Sequence, residues 1–343
     1  MTKNILVTGA AGFIGSEFVA DRVEKGDNVI VLDALTYAGK RENLDWIDEQ
    51  NWPGKYKLIV GNVCNTELVS HLLQENNIEW VVHYAAESHV DLSITNPEPF
   101  LKSNIMGTYS MLQASLSYYK SLNAEQKKDF RFHHISTDEV YGDFDVDSKE
   151  MFNEISPYKP SNPYSATKAG SDCLVIAWVR TYGLPATISN CSNNYGPRQL
   201  DEKLMPKIVR AAFEGKPLTI HGDGRNIRDW IHVEDHNDGV SLILTKGKIG
   251  ETYCMGGNGE RSNKYVITTI AELMDEMYPK KDGKSYTEQI VYTEDRIGND
   301  RRYALDPTKI ETELGWKRKY DNFEDGLRET IKWYVKYWKN KKR

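Results

Sequence analysis

The chain passes from a short apolar run, Asn4-Ile5-Leu6-Val7-Thr8, straight into Gly9-Ala10-Ala11-Gly12-Phe13-Ile14-Gly15. No other stretch restricts the fold as strongly. Glycines between a strand and a helix permit a tight turn and let the backbone approach a ligand closely. A helix opened in this way offers unpaired N–H groups and the positive end of its dipole to an anion. The spacing is GxxGxxG rather than GxGxxG. We therefore expect Gly9, Gly12, Phe13, Ile14 and Gly15 to hold the pyrophosphate of a dinucleotide.

The first half of the chain alternates between two periods. Ile5–Thr8, Asn28–Leu32, Lys57–Val60, Trp80–Tyr84 and Phe132–Ser136 are apolar runs of strand length. Ile14–Glu24, Glu67–Asn76 and Asn104–Ser121 have helical spacing, residues 161–182 form a further helix, and Pro185–Asn190 reads as another strand. Alternation of this kind predicts an α/β fold, a Rossmann-type doubly wound parallel sheet covered by helices on both faces. Beyond about residue 193 glycine-rich turns become frequent, as in Gly222-Asp223-Gly224 and Gly256-Gly257-Asn258-Gly259. We expect residues 1–192 to form the dinucleotide-binding domain, with later segments returning to it. Residues 193–343 should be mainly a smaller, partly discontinuous substrate lobe and a C-terminal helix. The stripe Phe323, Leu327, Ile331, Val335 and Trp338 would pack that helix on the body.

Asp33 closes the second apolar run, where a carboxylate can accept hydrogen bonds from ribose hydroxyls and repel a 2′-phosphate. NAD is expected rather than NADP. Asn62 and Val63, after the third run, would flank the adenine. Tyr84, Ala85, Ala86, Glu87 and Ser88, after the fourth, would run beneath the nicotinamide ribose.

Ser136-Thr137-Asp138-Glu139-Val140-Tyr141-Gly142 and Tyr164-Ser165-Ala166-Thr167-Lys168 carry the chemistry. Tyr164 and Lys168 are four apart and share one face of a helix. A nearby ammonium favours the phenolate, which suits removal of a hydroxyl proton while a hydride leaves the same carbon. Two exposed residues sharing a helix face would be the bland alternative. Adjacent carboxylates are usually solvated, but Asp138 and Glu139 follow an apolar strand at the sheet edge where such folds bind ligands. One can remain protonated as an acid while the other acts as a base. Thr137 can hydrogen-bond a sugar oxygen. Together they suggest an internal redox reaction combined with loss of water.

The chain has 343 residues and a net charge of −6, which gives no general attraction to nucleic acid or anionic membrane. Its four cysteines, Cys64, Cys173, Cys191 and Cys254, form no CxxC pair, so neither a disulfide framework nor a metal site is expected. No apolar run is long enough to span a bilayer, and strand residues begin at once with no signal peptide before them. A cytoplasmic protein is expected.

These residues resemble the extended short-chain dehydrogenase/reductase superfamily, and within it the nucleotide-sugar 4,6-dehydratases, especially those acting on dTDP-glucose. The similarity runs along nearly the whole chain. It includes Leu35-Thr36-Tyr37-Ala38-Gly39, Ala85-Ala86-Glu87-Ser88-His89-Val90-Asp91, Phe130–Gly142, Pro163–Lys168, Asn190–Pro197, Ile227-Arg228-Asp229-Trp230 and Asp300–Ala304. The superfamily's epimerases share the glycine loop and the Tyr-Lys pair, but do not normally carry Thr-Asp-Glu. The resemblance implies a bound NAD regenerated in each turnover, Tyr164 as the base at C4, Glu139 as the base at C5, and Asp138 as the acid for the C6 hydroxyl. It adds Ala34, Leu35, Thr36, Ser103 and Asn194 to the cofactor site. For the substrate it implies Ser88, Thr137, Asn193, Lys203, Leu204, Thr219, His221, Arg228, Asn263, Arg296 and Asn299, with the two arginines on the diphosphate. It also implies a homodimer formed through helices near 101–121 and 161–182. The chain departs from the family at Asn62, Leu92, Arg198–Asp201, His221, His232, Ile297 and Asn299. dTDP is the first choice of nucleotide. UDP-glucose, or a 4-epimerase reaction on a nucleotide sugar, is the alternative.

Overall fold

The computed structural model describes residues 2–294 and 300–341. Its strands, in chain order, are β1 (Asn4–Thr8), β2 (Asn28–Asp33), β3 (Lys55–Val60), β4 (Trp80–His83), β5 (Arg131–Thr137), β6 (Ala186–Cys191), β7 (Asn193–Tyr195), β8 (Leu218–His221), β9 (Ile227–Arg228), β10 (Trp230–His232), β11 (Thr252–Met255), β12 (Arg261–Ser262) and β13 (Ile290–Thr293). The helices are α1 (Phe13–Glu24), α2 (Glu42–Asp48), α3 (Thr66–Glu75), α4 (Val90–Thr95), α5 (Glu98–Phe100), α6 (Thr108–Ser121), α7 (Ala124–Asp129), α8 (Pro163–Tyr182), α9 (Leu204–Glu214), α10 (Val233–Lys246), α11 (Asn263–Met277), α12 (Thr308–Leu314) and α13 (Phe323–Lys341).

Seven parallel strands form the central sheet, in the order β11-β6-β5-β4-β1-β2-β3. The expected doubly wound α/β fold is what the chain adopts. Alternate residues of β1 explain the two covered faces. Leu6 joins Leu32, Val81, Phe132 and Ile188 against α3, α6 and α8. Ile5 and Val7 join Val29, Val31 and Val82 against α1, α2 and α10. At the free edge β3 alternates Lys55 and Lys57 with half-buried residues, and charge of this kind discourages further strand pairing. β6 is wholly buried although it reads Ala-Thr-Ile-Ser-Asn-Cys. Its hydroxyls are satisfied within the sheet, since Thr187 Oγ1 and Ser189 Oγ lie 2.8 and 3.0 Å from the two ring nitrogens of His133.

One feature differs from the sequence reading. The segment before α6 is a π-helical turn, Leu101–Gly107, rather than the start of a regular helix. Its Gly107 lies where any Cβ would stand 2.8 Å from Val63 Cγ2. The chain returns to the sheet late, when β11 pairs with β6. Residue by residue, Thr-Tyr-Cys-Met is too short to be told from the surrounding lobe. A further apolar cluster builds that lobe from Ile208 and Val209 of α9, Ile220 of β8, Ile267 and Ile270 of α11, and the stripe Phe323, Leu327, Ile331, Val335 and Trp338 of α13. Among the described residues no helix is long and apolar enough to cross a membrane, and no group of three or more His, Cys, Asp or Glu could hold a metal ion.

Leu327 has no exposed surface and lies in the middle of this cluster. Truncation to Ala should cost about 2–5 kcal/mol. Urea titration should show a lower midpoint with an unchanged slope.

Candidate active site

The sheet reverses its strand order between β1 and β4, so the loops that leave these two neighbours diverge and open a crevice. Gly9 follows β1 with φ +68, and a Cβ there would stand 2.6 Å from Ala85 Cα. Gly15 has the same constraint one turn later, where a Cβ would lie 2.7 Å from Ala10 Cα. Gly12 caps α1 in an extended conformation without a side-chain hydrogen bond. Phe13 and Ile14 form its first turn. The N–H groups of that turn are left to an external anion, and the cradle fits a pyrophosphate.

Asp33 ends β2 and is buried. Its Oδ2 accepts from Ala11 N at 2.9 Å and its Oδ1 from Leu35 N at 2.8 Å. Burial pushes this carboxyl up, and the two backbone donors oppose the shift. The hydrogen bonds fix the glycine loop and the turn at Leu35, which sits at φ +50, and lone pairs remain for hydroxyls of a ligand. Ala34, Thr36 and Asn62 are exposed around this end of the crevice. The side chain of Asn62 accepts from Cys64 N at 2.8 Å. Val63 is buried.

Under the other end, Ala85 N donates to Thr8 Oγ1 at 3.2 Å. The loop Ala85-Ala86-Glu87-Ser88 is held by Asn104, a residue the sequence reading did not single out. Asn104 Oδ1 accepts from Glu87 N at 2.9 Å, and its Nδ2 donates to Glu87 O at 3.1 Å and Thr167 Oγ1 at 2.9 Å. The π turn carries Asn104, with Ser103 half-buried beside it. Tyr84 turns away: its hydroxyl donates to Asn237 Oδ1 at 2.8 Å, and Asn237 in turn donates to Ile14 O at 3.0 Å.

The C-terminal end of β5 carries the carboxylates. Thr137 caps a 3-10 turn over Asp138–Tyr141. Its hydroxyl accepts from Glu139 N at 3.3 Å and donates to Asp138 Oδ1 at 3.2 Å. Asp138 is 2% exposed, and its Oδ2 has no hydrogen-bond partner among the described residues. Burial, then the charges of Glu139 and Asp229, hold its carboxyl well above the usual range. Glu139 is half-buried. Burial pushes it up to about 7, with Asp300 adding to the shift and Arg228, Lys203 and Asn162 opposing it. One carboxyl is thus kept neutral and its neighbour is poised near neutral pH.

Asn162 and Ser165 form a capping box at the start of α8, with Pro163 in the first turn, and Gly183 ends the helix at φ +70. The rigid helix between them presents Tyr164 and Lys168, both buried. Lys168 Nζ donates to Ile135 O at 2.8 Å and lies 3.4 Å from His134 Nε2. Burial lowers its proton affinity, while Asp172 and Cys191 raise it. The sequence reading expected Lys168 to draw Tyr164 toward the phenolate. In the protein, burial and the charge of Glu139 push the phenol well above its ordinary value, against a hydrogen bond from Thr137. The neutral phenol is the resting state of this pocket.

Of the remaining candidates, Arg228 and Lys203 act on Glu139 and the others are dispersed. Arg228 Nη1 donates to Ile227 O at 2.8 Å and Nη2 to Asp300 O at 2.9 Å, with the guanidinium 4.7 Å from the centre of the Tyr303 ring. Asn193 Oδ1 is buried without a partner among the described residues. Lys203 caps α9 and Leu204 begins it. Asn194 is occupied, with Nδ2 on Ser192 O at 3.0 Å and Oδ1 2.9 Å from His236 Nδ1. Thr219 and His221 lie on β8, where His221 Nδ1 is 3.1 Å from Thr293 Oγ1. Asn263 opens α11. Arg296 and Asn299 lie outside the described residues.

The model of a family described as GDP-mannose 4,6 dehydratase matches residues 6–330. The chain belongs to this family. It is 50% identical over 339 residues to the dTDP-glucose 4,6-dehydratase of Escherichia coli, covering 96% of this chain and 92% of that one. It is 48% identical over 332 residues to the same enzyme of Mycobacterium tuberculosis, with the same coverage. Among solved structures, the dTDP-glucose 4,6-dehydratase DesIV of Streptomyces venezuelae, with NAD and TYD bound, matches at 38% identity and a TM-score of 0.85, covering 97% of both chains. The UDP-glucose 4-epimerase of Thermotoga maritima, with UDP-glucose, has a TM-score of 0.84 at 29% identity, covering 98% of this chain and 99% of that one. The backbone is thus shared with epimerases, while sequence identity is greater to the dehydratases. The resemblance read from the motifs is borne out.

The raised Glu139 carboxyl has a stability signature. Its proton is held more tightly in the folded chain, so its contribution is complete below about pH 4.5 and is lost as the pH rises toward about 7. Glu139→Gln, which cannot titrate, should therefore gain on the wild type across that window. The gain should be roughly 2 kcal/mol after allowance for partial exposure. Denaturant titrations at pH 4.5 and 7.5 measure it.

Proposed function

We propose that this protein is a dTDP-glucose 4,6-dehydratase, converting dTDP-glucose to the 4-keto-6-deoxy sugar nucleotide on a bound NAD. The observation that carries the reading is the unequal pair at the end of β5: a neutral, buried Asp138 beside a Glu139 poised near pH 7. An acid and a base of this kind, next to a Tyr-Lys pair, suit elimination of water and have no task in simple epimerisation. The comparisons support the substrate class, since the curated relatives named above act on dTDP-glucose by name.

When bound, NAD supplies reversible hydride transfer. Gly9, Gly12, Phe13, Ile14 and Gly15 would hold its pyrophosphate, and Asp33 its adenosine ribose. In the chemistry, Tyr164 first loses its own proton to solvent, and the phenolate so formed, steadied by the positive charge of Lys168, accepts the proton of the C4 hydroxyl. The C4 ketone acidifies the C5 hydrogen, Glu139 removes that proton, and Asp138 protonates the departing C6 hydroxyl as water. Thr137 bonds the sugar. Arg228, Asn193 and Lys203 would contact the substrate, Arg228 at the diphosphate. Residues 1–192 with β11 would serve the cofactor, and the lobe beyond 193 mainly the sugar nucleotide. Leu101, Met106, Tyr109 and Tyr182 are exposed on the two helical segments expected to pair, which supports a homodimer. We place the protein in the cytoplasm.

Purified protein incubated without added cofactor should convert dTDP-glucose to a product lighter by one water on mass spectrometry, in preference to UDP-glucose and GDP-mannose. A product of unchanged mass, or stoichiometric consumption of NADP, would overturn the reading. Tyr164→Phe and Lys168→Met should each lower turnover by about 10²–10⁴-fold while remaining folded.

The two carboxylates separate by isotope. In deuterated water Glu139→Gln should block exchange at C5. Asp138→Asn should slow water loss more than oxidation at C4. Full dehydration by both variants would remove both assignments.

A further inference from the structure

We propose that Asp172 is a positioning residue for the reaction, a buried carboxylate that seats the Lys168 ammonium and the Thr137–Glu139 strand end against one another. The inference rests on the roles given above to Tyr164, Lys168, Asp138 and Glu139. Asp172 lies one helical turn beyond Lys168 on α8 and has no exposed surface. A carboxylate so placed is costly unless donors converge on it. Three do: Oδ2 accepts from Ser136 Oγ at 2.8 Å, Tyr158 Oη at 3.2 Å and Asn190 Nδ2 at 3.3 Å.

These donors lead directly to the catalytic turn. Ser136 precedes Thr137 on β5. Asn190 Nδ2 also donates to Thr137 O at 3.0 Å, while its Oδ1 accepts from Tyr141 Oη at 3.2 Å. The residues before and after Asp138-Glu139 are therefore both tied, directly or through Asn190, to one carboxylate on α8. The other oxygen, Oδ1, has no hydrogen-bond partner among the described residues and lies on the His134 side. Asp172 Oδ1 is 3.3 Å from His134 Nε2, which lies 3.4 Å from Lys168 Nζ and 3.1 Å from Ser171 Oγ.

Electrostatics agree with the geometry. The titratable groups around Lys168 are Tyr164 and Asp172 on its own helix, His134 on β5, Cys191 on β6 and His83 on β4; around Asp172 stand also Tyr158 and Cys173. Burial pushes His83 and His134 well down, Cys191 up to about 12, and Cys173, Tyr158 and Tyr164 up. All of these are neutral near pH 7. Asp172, held at about 6 against burial by Lys168 and its three donors, is ionised there. Among these groups it alone balances the ammonium.

Asp172→Asn preserves shape and removes the charge. The ε-carbon resonance of Lys168 should be followed by NMR in protein labelled with ¹³C-lysine, purified with its cofactor and without substrate, with Lys168→Arg for assignment. In Asp172→Asn the titration midpoint of Lys168 should fall by about one to three pH units. The alkaline limb of kcat should move down with it, and KM should stay within about twofold. A purely structural role would lower the melting temperature and leave the midpoint in place, and that result overturns the proposal. If Asp172→Asn does not fold, Ser136→Ala decides: losing one donor weakens the carboxylate, so the Lys168 midpoint must move down by a smaller amount. An unmoved midpoint there also overturns it. The midpoint needs no substrate, so failure of the wild type to dehydrate dTDP-glucose would reject the functional reading separately.

Discussion

The contact between Gly9 and Ala85 is the constraint on which the site depends. Two parallel neighbours, β1 and β4, send their chains in opposite directions, and the crevice exists because the departing loops diverge there. Before they diverge they nearly touch, with no room for a side chain between them. Thr8 couples the same point to the sheet, since its hydroxyl accepts from Ala85 N and lies 2.7 Å from His83 Nδ1. The phosphate cradle and the floor of the proposed nicotinamide site are therefore tied together.

From that floor a polar layer runs through the sheet. His83, His133 and His134 are fully buried on adjacent strands, each with a hydroxyl within hydrogen-bond distance. Burial keeps them neutral. Such a layer orders the sheet beneath Lys168 without adding charge to compete with Asp172, although His134 Nδ1 has no hydrogen-bond partner among the described residues, and hydrogen bonds of this kind favour one arrangement of the strands. The two loops above it are held from different sides, the Glu87 loop by Asn104 and the Thr137 turn by Asn190. The groups proposed to be catalytic, placed on a strand end, a capped helix and pinned loops, have little freedom to relax, as the proposed acid–base chemistry within one sugar would require.

Much of this was legible in the chain. The glycine spacing, Asp33 at a strand end and the Tyr-Lys pair each have a local signature. Asn162-Pro163 followed by Ser165 is likewise a helix start that local sequence encodes. Asn104, Asp172 and Asn190 gave no such sign. Each acts through partners far away in the sequence, such as Asn104 with Thr167 and Asn190 with Thr137. β11 was hidden for the same reason: four residues acquire strand identity only when β6 offers an edge.

The sequence by itself determined the alternation of elements, the anion cradle, the presence of Thr-Asp-Glu before Tyr-x-x-x-Lys, and through these the family. Those properties depend on residue type and short spacing, which the chain carries before it folds. Tertiary structure alone decided the proton affinities. The expectation that Lys168 would lower Tyr164 considered one charge and omitted burial, and burial is the larger effect at this phenol. Asp138 and Glu139 are chemically similar neighbours in sequence. Arg228 opposes the shift of both, but Asp138 is enclosed beside Asp229, while Glu139 also meets Lys203 and Asn162 from two other segments. Desolvation and the field of distant charges exist only once the chain has closed around them.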